Sequence, residues 1–367
     1  MFSSQYKNFL FRLKPISLDC LLLFKEKKQV LLTDAVQYLN RKQNTNYLYQ
    51  EIHFNYMSNI FQYADYNLLT YLVIWWYRTG KNYNTILCEF KAWKYAIQKN
   101  ISQSTNAELI NVYDSLIKSH KNFIKIAESN INLLKNQSIS NNDMVKDQFL
   151  QIILAGEKNA ALDLTEKHVH DKETLKKFYL TVIQPCLYDI GYLWETQKIS
   201  VAQEHLASAI VINIMTSLYS QYVLGDHKKG TAILATVFNE YHEIGARMAA
   251  DLLESDSWNV HYLGSNTKTN LLLKEIDRLR PDIIGLSISM PYNLANAFEI
   301  IQTIKKRTPP STLVIVGGNI FNYAPDIWIK LKADNLARNA EDFLNLANNH
   351  WYNLKKNTAT NEKAAVL

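Results

Sequence analysis

The sequence predicts an α + α/β fold in which helical regions precede a doubly wound parallel sheet of about five strands. Two observations carry this prediction. Only Gly80 and Gly156 of the ten glycines precede Gly191, so the first 140 residues are nearly free of helix breakers. Beyond Lys229, continuous apolar strands alternate with helices, which is typical of a parallel sheet covered by helices on both faces.

Length and composition restrict the class of protein. A chain of 367 residues exceeds one ordinary core and indicates two or three domains. Its 47% hydrophobic and 20% charged residues indicate a folded protein. Three cysteines without a CxxC pair favour the reducing cytoplasm and argue against disulfides or a thiolate metal site. The longest apolar run, 68–77, is far shorter than the roughly 20 residues of a membrane span, so no membrane association is expected.

Breaks in the pattern divide the chain into regions. We expect a helical interaction or oligomerisation domain in 1–140, ending in a polar, Ser- and Asn-rich linker at 130–143. A second helical region covers 146–222, and the α/β region covers 229–350. Residues 351–367 are expected to form a polar C-terminal tail.

The α/β region places polar and glycine-containing segments at one edge of the predicted sheet. Ligands of doubly wound sheets bind outside the carboxyl ends of the strands, which all lie at that edge. Predicted strands cover 231–237, 259–263, 282–287 and 312–316, with a weak fifth near Asp334, and predicted helices cover 244–254, 268–280, 295–307 and a segment from Ala340. The segments at the binding edge are 240–245, 264–267, 287–291 and 317–319.

The motif Glu240-x-His242-x-x-Gly245 lies between the first predicted strand and its helix. The positive end of that helix disfavours a protonated ring, so we expect His242 to be neutral and able to bind a metal. Glu240 would accept a hydrogen bond from the other ring nitrogen and orient the ring. No neighbouring side chains complete a zinc site, so a lone imidazole suits a macrocycle that supplies the other ligands. The alternative is a structural histidine held by Glu240 at a helix N-terminus.

Trp194 and Glu204-His205 form a second group. Ser200 to Gln203 fits the capping box S-x-x-Q, which predicts a helix that begins just after the serine. The three residues would then lie at one helix–loop–helix mouth, where Trp194 offers a flat apolar lid, Glu204 a hydrogen-bond acceptor and His205 a candidate second axial ligand. The alternative is a tryptophan in a bundle core beside a solvated Glu-His pair.

In this order and spacing, the two groups resemble the motifs of a known family. Residues 146–350 look like the cobalamin-binding unit of the adenosylcobalamin-dependent light-sensing regulators, which is also related to the cobalamin module of methionine synthase. The resemblance implies a four-helix bundle at 146–222 that caps the cobalamin, followed by a flavodoxin-like, Rossmann-type domain that binds it. It also implies adenosylcobalamin as the cofactor and cobalt as the bound metal.

The resemblance assigns a role to each motif residue. Trp194, Glu204 and His205 match the Trp-x9-Glu-His motif that caps the adenosyl side, with His205 as the expected upper cobalt ligand after photolysis. His242 matches the lower axial ligand, and Glu240 stands where methionine synthase-like modules carry Asp. The other expected cofactor contacts are Gly245, Gly264, Ser287, Ser289, Gly317 and Gly318.

Five of these contacts belong to three motifs of the family. Gly245 matches the glycine that follows the lower ligand. Ser287-x-Ser289 stands at the position of Ser-x-Leu, with Ser289 in place of Leu. Gly317-Gly318 matches the Gly-Gly pair that makes room for the nucleotide tail.

These expectations indicate a cytoplasmic photoreceptor and signalling regulator rather than an enzyme. Light would break the cobalt–carbon bond, and altered bundle packing would change the oligomeric state or the binding of a regulatory protein partner. Direct DNA binding is not expected, because the net charge of +6 is modest, the lysines are scattered and 1–140 does not resemble the family's winged-helix DNA reader. Two alternatives stay open: a corrinoid methyl carrier that serves a methyltransferase, and a haem or bilin sensor on the same scaffold.

Overall fold

The computed structural model describes residues 16–41, 47–63, 73, 76–77, 82–129, 144–196, 198–323 and 325–365. The chain divides into two compact units, Met1–Gln137 and Ser138–Leu367. The second unit contains both the predicted bundle region and the predicted α/β region. The predicted linker at 130–143 lies outside the described residues.

The described part of the first unit is helical and has an aromatic core. Its helices are α1 (Leu18–Glu26), α2 (Lys28–Asn40), α3 (Tyr47–Tyr63), α4 (Tyr83–Asn100), α5 (Gln103–Lys118) and α6 (His120–Ser129). Trp93 of α4 is fully buried and donates a hydrogen bond from Nε1 to Oε1 of Gln50 at 2.8 Å. Its ring stacks on the imidazole of His53, with 5.0 Å between the ring centroids. The aromatic side chains of α4 therefore contribute to a packed core.

The second unit begins with a four-helix bundle. Its helices are α7 (Met144–Ala155), α8 (Lys158–Glu166), a long helix in two parts, α9 (Lys172–Phe178) and α10 (Gln184–Glu195), and α11 (Val201–Leu218). A π-helical turn, Tyr179–Ile183, joins α9 to α10 just before Pro185. A proline ring clashes with the carbonyl four residues earlier in a regular α-helix, and a π-helical turn changes the spacing at that point. The long helix therefore continues across the proline.

Side chains cap two of the bundle helices at their N-termini. Asp171 accepts a hydrogen bond from the backbone N of Thr174 before α9, and Ser200 accepts one from the backbone N of Gln203 before α11. Each cap satisfies a backbone donor that the first helical turn leaves without a partner. The capping box predicted at Ser200 is confirmed, and α11 begins directly after it.

Among the described residues, one helix, Val201–Val223, is long and apolar enough to cross a membrane. A single such helix is weak evidence for a span, because the core helix of a soluble protein passes the same test. The inner face of α11 packs in the hydrophobic cluster shared by the bundle and the sheet. Its buried residues are Ala207, Ile210, Val211, Ile214, Met215 and Leu218. Packing within the bundle therefore explains the apolar character of this face.

The α/β region is a five-stranded parallel sheet in the order β2-β1-β3-β4-β5. The strands are β1 (Thr231–Thr236), β2 (Asn259–Tyr262), β3 (Ile283–Ser287), β4 (Leu313–Gly317) and β5 (Asn335–Leu336). In the centre of the sheet, Ile233 of β1 pairs with His261 of β2 and Ile284 of β3. The order confirms the predicted flavodoxin-like, doubly wound sheet and places its topological switch point between β1 and β3.

Helices follow each strand of this sheet. They are α12 (Ile244–Ser255), α13 (Thr269–Leu279), α14 (Leu294–Arg307), the short α15 (Ile320–Tyr323) and α16 (Ile327–Leu331), and α17 (Ala340–Ala365). α17 continues through residue 351, where the sequence analysis placed the start of a polar tail. Trp351 packs edge to face on the fully buried Trp258, with 5.8 Å between the ring centroids. This aromatic contact anchors the helix beyond the predicted boundary.

α12 connects the sheet to the bundle through buried polar side chains. The hydroxyl of Tyr179 donates to Oδ2 of Asp251 at 2.8 Å, and the hydroxyl of Tyr219 donates to Oε1 of Glu254 at 2.8 Å. Both tyrosines open π-helical turns of the bundle. Burial raises the pKa of Asp251 to about 7, although the bond from Tyr179 and the charge of Arg247 lower it. The seam between bundle and sheet therefore contains a carboxyl group that is protonated at acidic pH.

Replacement of Asp251 by asparagine should change how stability depends on pH. The fold raises the pKa of Asp251 from 3.8 to about 7, so in this window the folded chain retains a proton that the unfolded chain has lost. The free energy of unfolding therefore falls as pH rises through the window, with a contribution from this group of up to about 4 kcal/mol. The asparagine of Asp251→Asn does not ionise, so this fall in the free energy of unfolding with rising pH should be absent from the variant. Chemical denaturation at a series of pH values measures it.

Asp163→Asn, at an exposed position of α8, is the matched control and should keep the wild-type pH profile. An Asp251→Asn profile that runs parallel to the wild-type profile would show that folding does not shift the ionisation of Asp251.

Candidate functional site

The segment after β1 forms a tight turn that buries the side chain of Glu240 and leaves the side chain of His242 exposed. Asn239 has a left-handed φ of 66°. The backbone oxygen of Glu240 accepts hydrogen bonds from Oγ1 of Thr236 at 2.7 Å and from the backbone N of Asn266 at 2.8 Å. The side chain of Glu240 is consequently fully buried, whereas the side chain of His242 is 62% exposed.

The carboxylate of Glu240 has partners on both oxygens. Oε1 accepts from Nδ1 of His242 at 2.6 Å and from the backbone N of His242 at 3.2 Å. Oε2 accepts from the backbone N of Ser289 at 2.9 Å, the backbone N of Met290 at 2.8 Å and Nδ2 of Asn293 at 3.0 Å. Burial opposes ionisation, but the bonds from His242, Met290 and Asn293 hold the pKa of Glu240 below its usual range. The fold thus surrounds a buried anion with N–H donors.

His242 directs its second nitrogen to the exposed side of the loop. Because Nδ1 donates to Glu240, Nε2 is the ring atom that is available to a ligand. The hydrogen bond to Glu240 raises the pKa of His242 against the effect of burial, and the charge of Glu204 raises it further. We expected the N-terminus of the helix to lower the pKa of His242. The pKa is raised instead, because the two carboxylates favour the protonated ring. A metal that binds Nε2 therefore competes with a proton.

The loop after β2 is fastened to the loop after β1. Gly264 has a φ of 79°, and its backbone oxygen accepts from the N–H of the last residue of β1 at 3.1 Å. Oδ1 of Asn266 accepts from the backbone N of Asn239 at 2.9 Å, and its Nδ2 donates to the hydroxyl of Tyr241 at 3.3 Å. The ring of Tyr241 is exposed. The bond from Asn266 therefore holds an exposed aromatic ring next to the histidine.

The loops after β3 and β4 meet at Ser289 and Gly318. The backbone N of Ile288 donates to the backbone oxygen of Gly317 at 2.8 Å, and Oγ of Ser289 lies 3.5 Å from the backbone N that follows Gly318. Gly318 has a φ of 116°, and a Cβ atom at this position would lie 2.2 Å from the backbone oxygen of Ile288. Ser287 is buried at the end of β3. The packing of these two loops thus requires a glycine at position 318, independently of any bound cofactor.

The residues of the bundle lie on either side of the loop between α10 and α11. Trp194, in the last turn of α10, is 37% exposed and is not a core residue. Oε2 of Glu204 accepts from Nδ1 of His205 at 2.6 Å, and its Oε1 accepts from Oγ of Ser208 at 2.9 Å. The charge of Glu204 raises the pKa of His242. The start of α11 therefore lies near the loop after β1.

The structure brings the predicted residues of the sheet domain to one edge. Glu240 bonds directly to His242 and to the backbone of Ser289, across the switch point between β1 and β3. Gly245 lies in the first turn of α12, where a Cβ atom would meet no other heavy atom within 4 Å. The space above α12 therefore allows a close approach to the backbone at Gly245.

Two asparagines of this edge, Asn266 and Asn293, were not predicted from the sequence. Asn266 links two loops, and Asn293 donates to the buried carboxylate of Glu240. Neither residue belongs to a periodic pattern or a spaced motif. The one signal in the sequence is their position, since each follows a predicted strand of the sheet within a few residues.

The donor set at this edge suits a metal that is held by a macrocycle. Among the described residues, no group of three or more His, Cys, Asp or Glu side chains is arranged to hold a metal ion. One exposed imidazole, oriented by a carboxylate on its Nδ1, instead supplies a single axial ligand. These residues therefore fit cobalt in a corrin better than a protein-only zinc site.

Comparison with known families agrees with this fit. Two family models, each described as a B12 binding domain, match residues 145–219 and 230–344. The first range corresponds to the bundle and the second to the α/β region. This part of the chain is therefore a cobalamin-binding module.

The relatives that the chain resembles include a transcriptional repressor and corrinoid proteins. The chain is 33% identical over 142 residues to the HTH-type transcriptional repressor CarH of Myxococcus xanthus, which is 39% of this chain and 47% of the repressor. It is 23% identical over 208 residues to a corrinoid protein of Desulfitobacterium hafniense, which is 55% of this chain and 95% of that protein. The structure of the Methanosarcina barkeri monomethylamine corrinoid protein aligns with a TM-score of 0.48 and 18% identity over 56% of this chain and 98% of that chain.

Substitution of Gly318 by alanine should destabilise the chain without any cofactor present. The new Cβ atom would lie 2.2 Å from the backbone oxygen of Ile288, at a φ of 116° that alanine rarely adopts. We expect a loss of about 2–4 kcal/mol in the free energy of unfolding. Gly245→Ala is the control, because its Cβ meets nothing within 4 Å, and it should stabilise the helix slightly. Equal stability of the two variants in urea denaturation would contradict the loop packing.

Proposed function

We propose that this chain is a cytoplasmic signalling regulator that binds adenosylcobalamin between its bundle and its sheet and responds to light. The observation that carries the proposal is a buried Glu240 carboxylate that orients an exposed His242 ring at the switch point of a cobalamin-binding module. The bound cobalamin supplies a cobalt–carbon bond that light cleaves. The residues of the chain bind the cofactor on both faces and respond to the loss of its upper group.

On the lower face, Nε2 of His242 is the proposed axial ligand of cobalt. Glu240 fixes the ring through Nδ1, so that Nε2 points away from the protein, and ligation releases the proton that the neighbouring carboxylates favour. Gly245, with open space above its Cα, admits the corrin ring. Gly264, Ser287, Ser289, Gly317 and Gly318 are proposed to contact the corrin and its nucleotide tail.

On the upper face, the exposed Trp194 is proposed to cover the adenosyl group. Glu204 would accept a hydrogen bond from a hydroxyl of the adenosyl ribose. In the structure Glu204 instead accepts from His205 at 2.6 Å, so the adenosyl group and His205 compete for one carboxylate. His205 would be the residue that holds cobalt on this face once the adenosyl group is lost. The exposed position of Trp194 supports this reading over a core role.

The proposed output is a change in oligomeric state or in the binding of a regulatory protein partner. α12 begins two residues after His242 and is bonded to the bundle through the Tyr179–Asp251 and Tyr219–Glu254 pairs. A shift of the histidine loop therefore reaches the bundle through one helix. The similarity to a transcriptional repressor supports a regulatory role.

A corrinoid methyl carrier is the second candidate function. It is favoured by the matches to corrinoid proteins, one of which is covered over 95% of its length. Such a carrier presents its upper face to a methyltransferase, so it does not need a fixed lid over adenosine. The two candidates therefore differ in what Trp194 contributes.

Illumination of the full chain loaded with adenosylcobalamin should change its molar mass or its hydrodynamic radius. Loss of the adenosyl group removes the support of the proposed lid, and the bundle repacks. Size-exclusion chromatography with light scattering, before and after green light, measures the change. Protein loaded with cyanocobalamin is the control and should keep its size. Photolysis that leaves both quantities unchanged would reject a light-driven change of oligomeric state and spare cobalamin binding.

Replacement of Trp194 should separate the two candidate functions. If the indole covers adenosine, Trp194→Ala lowers the affinity for adenosylcobalamin about tenfold or more and leaves the affinity for methylcobalamin within about twofold. Equilibrium dialysis in the dark measures both constants. Tyr188→Ala removes another exposed aromatic ring of α10 and should change neither affinity. Equal losses for both cobalamins in Trp194→Ala would favour the methyl carrier.

A further inference from the structure

The seam between bundle and sheet contains two buried carboxyl groups that lie one turn apart on α12. Asp251 is 3% exposed and Glu254 is 8% exposed. Oδ2 of Asp251 accepts from the hydroxyl of Tyr179, and Oε1 of Glu254 accepts from the hydroxyl of Tyr219, each at 2.8 Å. Both donors belong to the bundle, so these two hydrogen bonds join the bundle to the sheet domain.

No cation pairs directly with either carboxyl group in the described part of the chain. Arg247 lies one turn before Asp251, but its guanidinium donates to Oγ1 of Thr216 at 2.9 Å. The side-chain donors to the two acids are therefore neutral tyrosine hydroxyls. Two ionised carboxylates at this separation would repel each other without the hydration that stabilises them in water. A buried pair of this kind favours a state in which one member keeps its proton.

The ionisable groups around Asp251 come from α12, the bundle and β2. They are Arg247 and Glu254 of α12, Tyr179 and Tyr219 of the two π-helical turns, and Tyr262 of β2. His261 of β2 lies near Glu254, and burial lowers its pKa. β1 and β3 contain no ionisable side chain, and α17 contributes the apolar Phe343 and Ala347 to the shared core.

The balance of these influences favours the protonated form of Asp251. Burial is the largest cause of its raised pKa, about 7, and the charge of Glu254 adds to it. The bond from Tyr179 and the charge of Arg247 act in the opposite direction but do not outweigh burial. The proton of the pair is therefore assigned to Asp251.

The positions of the two tyrosines suit a contact that can open. Each is the first residue of a π-helical turn, Tyr179–Ile183 in one case and Tyr219–Val223 in the other. Such turns interrupt the regular hydrogen bonds of an α-helix and occur frequently at functional sites. The bonds to α12 thus hold the bundle at the two points where its helices depart from α-helical geometry.

We propose that Asp251 and Glu254 form a proton switch, in which the closed seam holds one proton on Asp251 and separation of the bundle from α12 releases it to solvent. The inference goes beyond the proposed function and requires no cofactor. Because the closed seam binds a proton that a solvated carboxyl group gives up, a rise in pH favours separation. This effect ends at about pH 7, where the closed seam has itself lost the proton.

Hydrogen exchange of the cofactor-free full chain tests the switch. Mass spectrometry follows the amides of the two π-helical turns between about pH 5 and about pH 8, and each rate is divided by the intrinsic rate of an unprotected amide. Protection of the turns should fall about tenfold per pH unit up to about pH 7 and then stay constant, as the release of one proton requires. The amides of the inner strand β1 should be more protected at every pH, because they exchange when the sheet unfolds.

Two variants identify the group that holds the proton. Asp251→Asn keeps an acceptor for Tyr179 but has no proton to release, so protection of its turns should not depend on pH in this range. Tyr179→Phe removes a donor that favours the ionised carboxylate, so the pH at which protection becomes constant should rise. Asp163→Asn and Tyr188→Phe, at exposed positions of α8 and α10, are matched controls and should follow the wild-type curve.

The proposal fails if protection of the wild-type turns does not change with pH, because the seam then holds no proton that separation releases. An Asp251→Asn curve with the wild-type slope would assign the proton to another group. Equal protection of the turns and of β1 would show that the bundle leaves α12 only when the whole domain unfolds. If Asp251→Asn does not fold, Tyr179→Phe decides, since a constant region that begins at the same or a lower pH contradicts the proposal.

Discussion

The buried carboxylate of Glu240 is the constraint on which the binding edge depends. An ionised group without solvent costs several kcal/mol unless donors surround it. Here the donors come from the histidine loop after β1 and from the segment after β3, which are neighbours only because β1 and β3 pair at the switch point. Satisfying one charge therefore fixes two loops relative to each other. The orientation of His242 is a consequence of that requirement.

The same histidine is influenced from the bundle. Glu240 and Glu204 both raise the pKa of His242, although Glu240 lies in the loop after β1 and Glu204 lies at the start of α11. A metal that binds Nε2 would compete with the proton that both carboxylates favour. α12 then connects the histidine loop to the π-helical turns at Tyr179 and Tyr219. The histidine loop is thus coupled to the bundle in two ways, by the charge of Glu204 and by α12.

Much of the sheet domain was predictable, because buried parallel strands appear in the sequence as continuous apolar runs. The run at 231–237 ends just before the turn that carries Glu240, and the spacing of Glu240 and His242 predicted their hydrogen bond. The hydrogen bond from Asn293 to Glu240 was not predictable, because the two residues lie 53 positions apart in the sequence. The raised pKa of His242 comes mainly from the hydrogen bond to Glu240, two residues away, and the charge of Glu204 from the bundle adds to it. Sequence patterns predict individual helices and strands, whereas such contacts form between elements that are distant in the sequence.

Cobalamin binding belongs to the module, but the choice of lower ligand is the claim on which the proposed function depends. A crystal structure of the chain with adenosylcobalamin, grown and measured in the dark, tests it most directly. The account predicts Nε2 of His242 within bonding distance of cobalt and Nδ1 still hydrogen-bonded to Glu240. A cobalt that keeps the nucleotide base of its own tail, with the His242 ring turned away, would contradict it.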